Sequence, residues 1–160
     1  MLLSSSAALL ATDRELVITR TLPAPRHLVF AAWSSAEHQV HWLGPKDFTV
    51  PSCEMDFRVG GAYRACIRSP EGQDYWMRGH YREIVTPEKL VFTFAWEEDG
   101  ERGLENLVTI QFADLGGTTR MVFRQAPFQS SAERDGHHGG WSECFDRLAA
   151  YASRAAALAN

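Results

Sequence analysis

A chain of 160 residues is most simply one domain with room for a real core. Its net charge of −4 gives no support to a broad nucleic-acid surface, and no apolar run is long enough to span a bilayer. Cys53, Cys66 and Cys144 are widely spaced, odd in number and form no CxxC pair, so neither a disulfide framework nor a zinc site is favoured and a reducing cytoplasm is the expected compartment.

Residues 1–12, MLLSSSAALLAT, lack a basic segment and a cleavage site, so they read as a flexible N-terminal tail before a single domain over 13–160. A first strand is predicted over 15–21, stopped by Pro23 and Pro25. Leu28, Val29, Ala32 and Trp33 then recur with helical spacing, and Ser34 or Ser35 can cap a second short helix over 36–42 that Gly44-Pro45 ends. Strand signals follow at 48–57, where Pro51 implies a bulge or an edge, and at 62–68, 75–85, 89–96, 104–112 and 118–124. Short turns between them argue for an antiparallel meander. Residues 97–103 read as a charged loop, and 127–136 as polar and irregular. The Gly139-Gly140 pair reads as a flexible joint before the one long amphipathic helix. On that helix Trp141, Phe145, Leu148 and Ala152 form a single apolar stripe aimed at the sheet.

Alternation assigns the strand faces. Leu90, Phe92, Phe94 and Trp96 lie together, as do Val108, Ile110 and Phe112, and Thr119, Met121 and Phe123. In the strand at 75–85, Tyr75, Met77, Tyr81 and Glu83 share one face, while Trp76, Arg78, His80 and Arg82 share the wetter one. Parity therefore points Glu83 inward among apolar neighbours.

With these pieces in order, the chain resembles the START-like or Bet v 1-like (SRPBCC) superfamily, and more narrowly the family named after the C-terminal domain of the activator of Hsp90 ATPase. The matching segments are RTLPAP (20–25), VFAAW (29–33), HWLGP (41–45), DFRVGGAY (56–63), GHYREIVTPEKLVFTF (79–94), GTTR (117–120) and GGW (139–141). They span nearly the whole chain, and their order and spacing are more specific than any one of them. The resemblance implies an α+β helix-grip fold: a curved antiparallel sheet around a long C-terminal helix, with two short helices after the first strand. It also implies a cavity between sheet and helix that holds hydrophobic or amphipathic small molecules. The eukaryotic namesake stimulates Hsp90 as part of a larger protein with an additional N-terminal domain. The present chain has no room for that domain, so a chaperone partner is not the expectation.

The chemistry must come from residues. The leading expectation is a binding protein, without a cofactor, for a small hydrophobic or aromatic molecule. Trp42, Tyr81, Phe92, Phe94, Trp96, Met121, Trp141 and Phe145 would supply apolar area, and Glu83 the orienting polar contact. An alternative is a polyketide cyclase or hydrolase type of enzyme using Glu83 as acid/base, and a third reading is an Hsp90 co-chaperone-like interaction module. Against a site role, Glu83 could instead serve a bulge or pair with an arginine such as Arg64. Trp141 is either a pocket wall or a core plug, and for Trp33 the core reading leads. Asp56 suits turn amides or a pairing with Arg58 or Arg120. His38 and His41 lack a third ligand at fixed spacing, so no metal is expected, and His137-His138 read mainly as part of a solvent loop at the cavity mouth. Trp76 on the wetter face is a candidate contact for a partner or a second subunit, which keeps a homodimer open. A cavity of a few hundred Å³ with Glu83 inside it would favour binding or catalysis. A filled core beneath an exposed apolar patch would favour an interaction module.

Overall fold

The computed structural model describes residues 14–98 and 101–159. The tail expected over 1–12 lies outside the described residues. Strand β1 (Leu16–Leu22) leads into helices α1 (Arg26–Trp33) and α2 (Ala36–Gln39). Strands β2 (Thr49–Met55), β3 (Ala62–Arg68), β4 (Asp74–Val85), β5 (Lys89–Glu98), β6 (Glu101–Arg102), β7 (Asn106–Asp114) and β8 (Thr119–Ala126) follow, and helix α3 (Ser131–Ala159) closes the chain. This is the helix-grip architecture. Seven strands run in the order β1-β8-β7-β5-β4-β3-β2, all neighbours antiparallel, with the short β6 pairing β5 inside the charged loop.

Alternation sets the two faces. On β7, Val108, Ile110 and Phe112 are buried, and on β8 Thr119, Met121, Phe123 and Gln125, while the residues between them are more accessible. Register shifts interrupt the ladder between Thr49 and Ser52, around Pro51 on the edge strand β2, and between Tyr81 and Glu83 on β4. Bulges of this kind bend a sheet and raise its local twist. Helix α1 lies under the inner face, where Trp33 meets Trp42 edge-on with ring centroids 4.7 Å apart. The Trp42 indole N–H is satisfied by the Ala32 carbonyl at 3.1 Å.

Helix α3 is tied at both flanks. Arg20 on β1 reaches Asp146 at 2.6 Å and the Ser142 carbonyl at 3.0 Å. One guanidinium nitrogen of Arg147 donates to the carbonyls of Leu43, Gly44 and Pro45 at 3.1, 3.0 and 3.1 Å, fixing the turn after α2 against the helix. That turn needs its glycine: Gly44 has φ +100°, and a Cβ there would also stand 3.1 Å from the Phe48 Cβ. Among the described residues no helix is long and apolar enough to cross a membrane.

Two sequence expectations change here. Residues 131–136 and Gly139-Gly140 belong to α3 and are not an irregular segment followed by a joint. Ser130 starts the helix, its hydroxyl accepting from the Glu133 N–H at 3.1 Å. The sequence Ser130-Ser-Ala-Glu133 has the spacing of a capping box, a start signal eleven residues ahead of Trp141, where the apolar stripe begins. The second correction is Glu83. The bulge after Tyr81 inserts a residue, so parity flips. Tyr81 remains buried opposite Phe92, but Glu83 sits opposite Val91 and turns to the outer face.

Candidate ligand-binding cleft

Among the described residues, two spaces of very different size lie between the inner face of the sheet and α3. The larger is an open cleft of about 680 Å³ at the N-terminal half of α3. Strands β4 and β5 supply Tyr75, Met77, Phe94 and Trp96, helix α3 supplies His137 and Trp141, and the Leu43–Gly44–Pro45 turn with Phe48 closes the far side. The second space, of about 20 Å³, lies deeper, among Trp33, Tyr81, Leu90 and Phe92. Met77, Phe94 and Trp141 line both.

Each wall residue follows from its element. Tyr75, Met77, Phe94 and Trp96 are the inward members of alternating strands, with Met77 directly opposite Trp96. His137 and Trp141 stand one helical turn apart on the face turned to the sheet. Gly136 and Gly140 repeat the same spacing beside them and leave that part of the helix without side chains. The rings form a connected wall: Phe48–Tyr75 at 6.2 Å, Tyr75–Trp96 at 6.3 Å, Phe94–Trp96 at 5.2 Å and Phe94–Trp141 at 6.2 Å. Edge-on and tilted geometries at these separations are the favourable ones for aromatic pairs.

Polar groups fix the wall. The Trp96 indole N–H donates to His137 Nε2 at 3.1 Å. That bond requires a lone pair on Nε2, which assigns the imidazole as neutral with its proton on Nδ1. Desolvation lowers the His137 pKa further, so burial and hydrogen bonding favour the same state. The Trp141 indole donates to Gln125 Oε1 at 2.9 Å, and Gln125 Nε2 donates to Asn106 Oδ1 at 3.0 Å. Trp141 is 8 % exposed and is therefore both a pocket wall and a packed core residue.

The cleft gathers some of the expected site residues and not others. Phe94, Trp96 and Trp141 line it. Tyr81 and Phe92 line only the small inner space, while Trp42, Met121 and Phe145 are fully buried core. Glu83 is outside: its side chain is 46 % exposed and lies 3.3 Å from the Lys89 ammonium. The arginine considered for it, Arg64, instead holds Glu97 through two bonds of 2.6 and 3.0 Å. Trp33 is buried, as its core reading required, and Asp56 pairs with Arg58 at 2.8 Å. His38 contacts the Tyr151 hydroxyl at 2.6 Å and His41 stacks on the same ring. These contacts pin α2 and the turn after it to the C-terminal half of α3.

His137 is the residue the sequence reading misplaced. Counting the helix from Ser130 puts His137 four residues before Trp141 on the inward stripe, so the capping signal would have found it. None of the cysteines is activated as a nucleophile. Burial pushes Cys144 up to about 12 and Cys53 up to about 11, and it also raises Cys66.

Comparison with known proteins agrees with this architecture. Residues 23–153 match the family described as Activator of Hsp90 ATPase homolog 1-like protein. Among solved structures, protein CV1439 from Chromobacterium violaceum is similar at 27 % identity and TM-score 0.77, covering 88 % of this chain and 97 % of its own. The AHSA1 protein SPO3351 from Silicibacter pomeroyi is similar at 25 % identity and TM-score 0.77, covering 85 % and 95 %. Protein NE0264 from Nitrosomonas europaea shares the fold at 21 % identity and TM-score 0.77, covering 91 % and 97 %. No curated protein matches.

Proposed function

This chain belongs to the Activator of Hsp90 ATPase homolog 1-like family, and from that premise we propose that it binds a small hydrophobic or aromatic molecule in the cleft between β4, β5 and the first turns of α3. The observation that carries the reading is the cleft of about 680 Å³, walled by Phe94, Trp96 and Trp141 and open to solvent. Ligand sites in this size range are concave, mostly apolar and provided with a few fixed polar groups. Here the fixed polar group within the aromatic wall is His137, held by Trp96. Catalysis through Glu83 is not part of the reading, because that carboxylate lies on the opposite side of the sheet, paired with Lys89. The free, buried or half-buried cysteines fit a protein of the cytoplasm.

The test is a titration with 1-naphthylmethanol, a neutral aromatic probe, followed by NMR. Saturable shifts centred on Trp96, His137 and Tyr75, weakened about tenfold or more in Trp96→Ala, are the expected result. No binding up to millimolar probe, or shifts confined to the outer sheet face, would overturn it.

A further inference from the structure

Resting on the reading of the cleft as a binding site, we propose that the deep space behind it is an acceptor subsite: ligands of the cleft carry a neutral carbonyl oxygen at their inner end, and that oxygen takes the hydrogen bond of the Trp33 indole. The starting point is an unpaired donor. Trp33 is 2 % exposed, and its indole N–H is buried without an acceptor. Neighbouring indoles are satisfied: Trp42 donates to the Ala32 carbonyl, Trp96 to His137 and Trp141 to Gln125. The Trp33 carbonyl is also engaged, accepting from Gln39 Nε2 at 3.1 Å. Buried donors in folded proteins almost always have a partner, so an orphan of this kind marks a place for a water or a ligand atom.

The deep space lies against this residue. Its lining includes Trp33, Phe92 and Trp141. The Trp33 ring centroid stands 6.2 Å from that of Phe92 and 6.4 Å from that of Trp141, so the ring itself, and not only the backbone of α1, borders the space. About 20 Å³ is room for one oxygen and little more. A second donor belongs to the same lining. The Tyr81 hydroxyl has no hydrogen-bond partner among the described residues, and burial raises its pKa, which keeps it protonated. The other polar side chains there are taken: Gln39 holds the Trp33 carbonyl and Tyr63 the Thr93 carbonyl. An indole N–H only donates and a phenol donates readily, so the fitting atom is an acceptor with two lone pairs. Among the described residues no ionised side chain lines the space, so a carboxylate would be desolvated there without a counter-charge. A neutral carbonyl avoids that cost. Met77, Phe94 and Trp141 line both spaces and form the partition between them. Met77 is unbranched and adaptable, which lets one atom of a molecule held in the cleft pass inward.

The test pairs two planar ligands of one shape, acetophenone and α-methylstyrene, which differ by C=O against C=CH2. Affinities for both are measured by NMR titration in wild type and in Trp33→Phe, which keeps an aromatic ring and removes the N–H. Trp33→Phe is expected to weaken acetophenone about tenfold more than α-methylstyrene, the scale of one hydrogen bond to a buried donor. In wild type the Trp33 indole proton should move farther downfield with the ketone than with the hydrocarbon, a readout that survives if the variant fails to fold. Equal losses for the two ligands, or an indole proton that moves alike with both, overturn the inference while leaving the cleft a binding site. If neither ligand binds and 1-naphthylmethanol does not either, the binding reading itself falls and the subsite with it.

Discussion

The two spaces under the sheet are walled by the same kinds of side chain, yet one is closed and the other open. At the deep space, Trp33 is backed by Trp42 and Phe145, with ring centroids 4.7 and 6.1 Å from its own, and only about 20 Å³ remains. At the cleft, Tyr75, Trp96 and Trp141 are as large, but α3 presents Gly136 and Gly140 beside them and about 680 Å³ stays free. Aromatic content alone therefore does not make a pocket. What separates the two is the absence of side chains on one stretch of helix, where a Cβ at Gly136 would meet nothing within 4 Å.

The sharpest way to break this comparison is to open the closed end. Phe145→Ala removes a fully buried ring in contact with Trp33, Phe123 and Trp141. It is expected to cost about 3–5 kcal/mol of unfolding free energy, read by urea denaturation, because cavities in packed cores relax only in part. A cost below about 1 kcal/mol would mean that the closed end is not tightly packed.

The complementary experiment fills the open end. Gly140 faces the cleft, and a Cβ there would approach only the Pro45 ring, at 3.8 Å. Gly140→Leu is expected to stabilise the helix by about 0.5–1 kcal/mol, since glycine is a poor helix former, while cutting 1-naphthylmethanol affinity at least tenfold by occupying its space. Stability and binding should move in opposite directions. Loss of both would show that Gly140 serves packing and not the cleft.

The fold was largely legible from the chain because it rests on alternation and on turn residues, which are local. The inward strand residues Phe92, Phe94, Val108, Ile110 and Phe123 and the helical stripe Trp141–Phe145–Leu148–Ala152 are all buried as their periods require. The candidate site was legible only in its wall, at Phe94, Trp96 and Trp141. Glu83 failed because strand parity carries no memory of a bulge: one extra residue at the Tyr81–Glu83 register shift reverses every following side chain. His137 failed because glycines at 136, 139 and 140 were weighed by propensity, whereas the Ser130 cap and the tertiary contacts of Trp141 carry the helix through them. Which inward residues border a void and which fill one depends on the facing element, and no single segment contains that information.

Acidification tests the polar anchor of the open end. The His137 pKa is lowered in the folded protein, so the unfolded chain takes up this proton first. The stability contributed by neutral His137 is full above the ordinary histidine value of about 6.5 and is lost as pH falls through the lower folded value. Protonation also ends the bond in which Nε2 accepts from Trp96. Between pH 7.5 and pH 5, wild type should lose more thermal stability than His137→Gln, and its 1-naphthylmethanol affinity should fall in parallel. Equal losses in both proteins would place the pH dependence on other groups. The effect is smaller than those above, because His137 keeps partial contact with solvent.

The smallest expected effect belongs to the residue the sequence favoured for chemistry. Glu83 and Lys89 form an exposed pair at 3.3 Å on the outer face, and exposed pairs contribute roughly 0–1 kcal/mol. Glu83→Gln keeps the shape and removes the charge, so unfolding free energy should change by less than about 0.5 kcal/mol. The affinity for 1-naphthylmethanol should stay within twofold, since the side chain does not reach the cleft. A tenfold loss of binding would require the carboxylate to reach the inner face, which in turn requires the β4 bulge to slip by one residue when ligand is bound. That slip would also swap the outward Val85 with Ile84, which packs on the core, so amide exchange along β4 would separate a true re-registration from a long-range electrostatic effect.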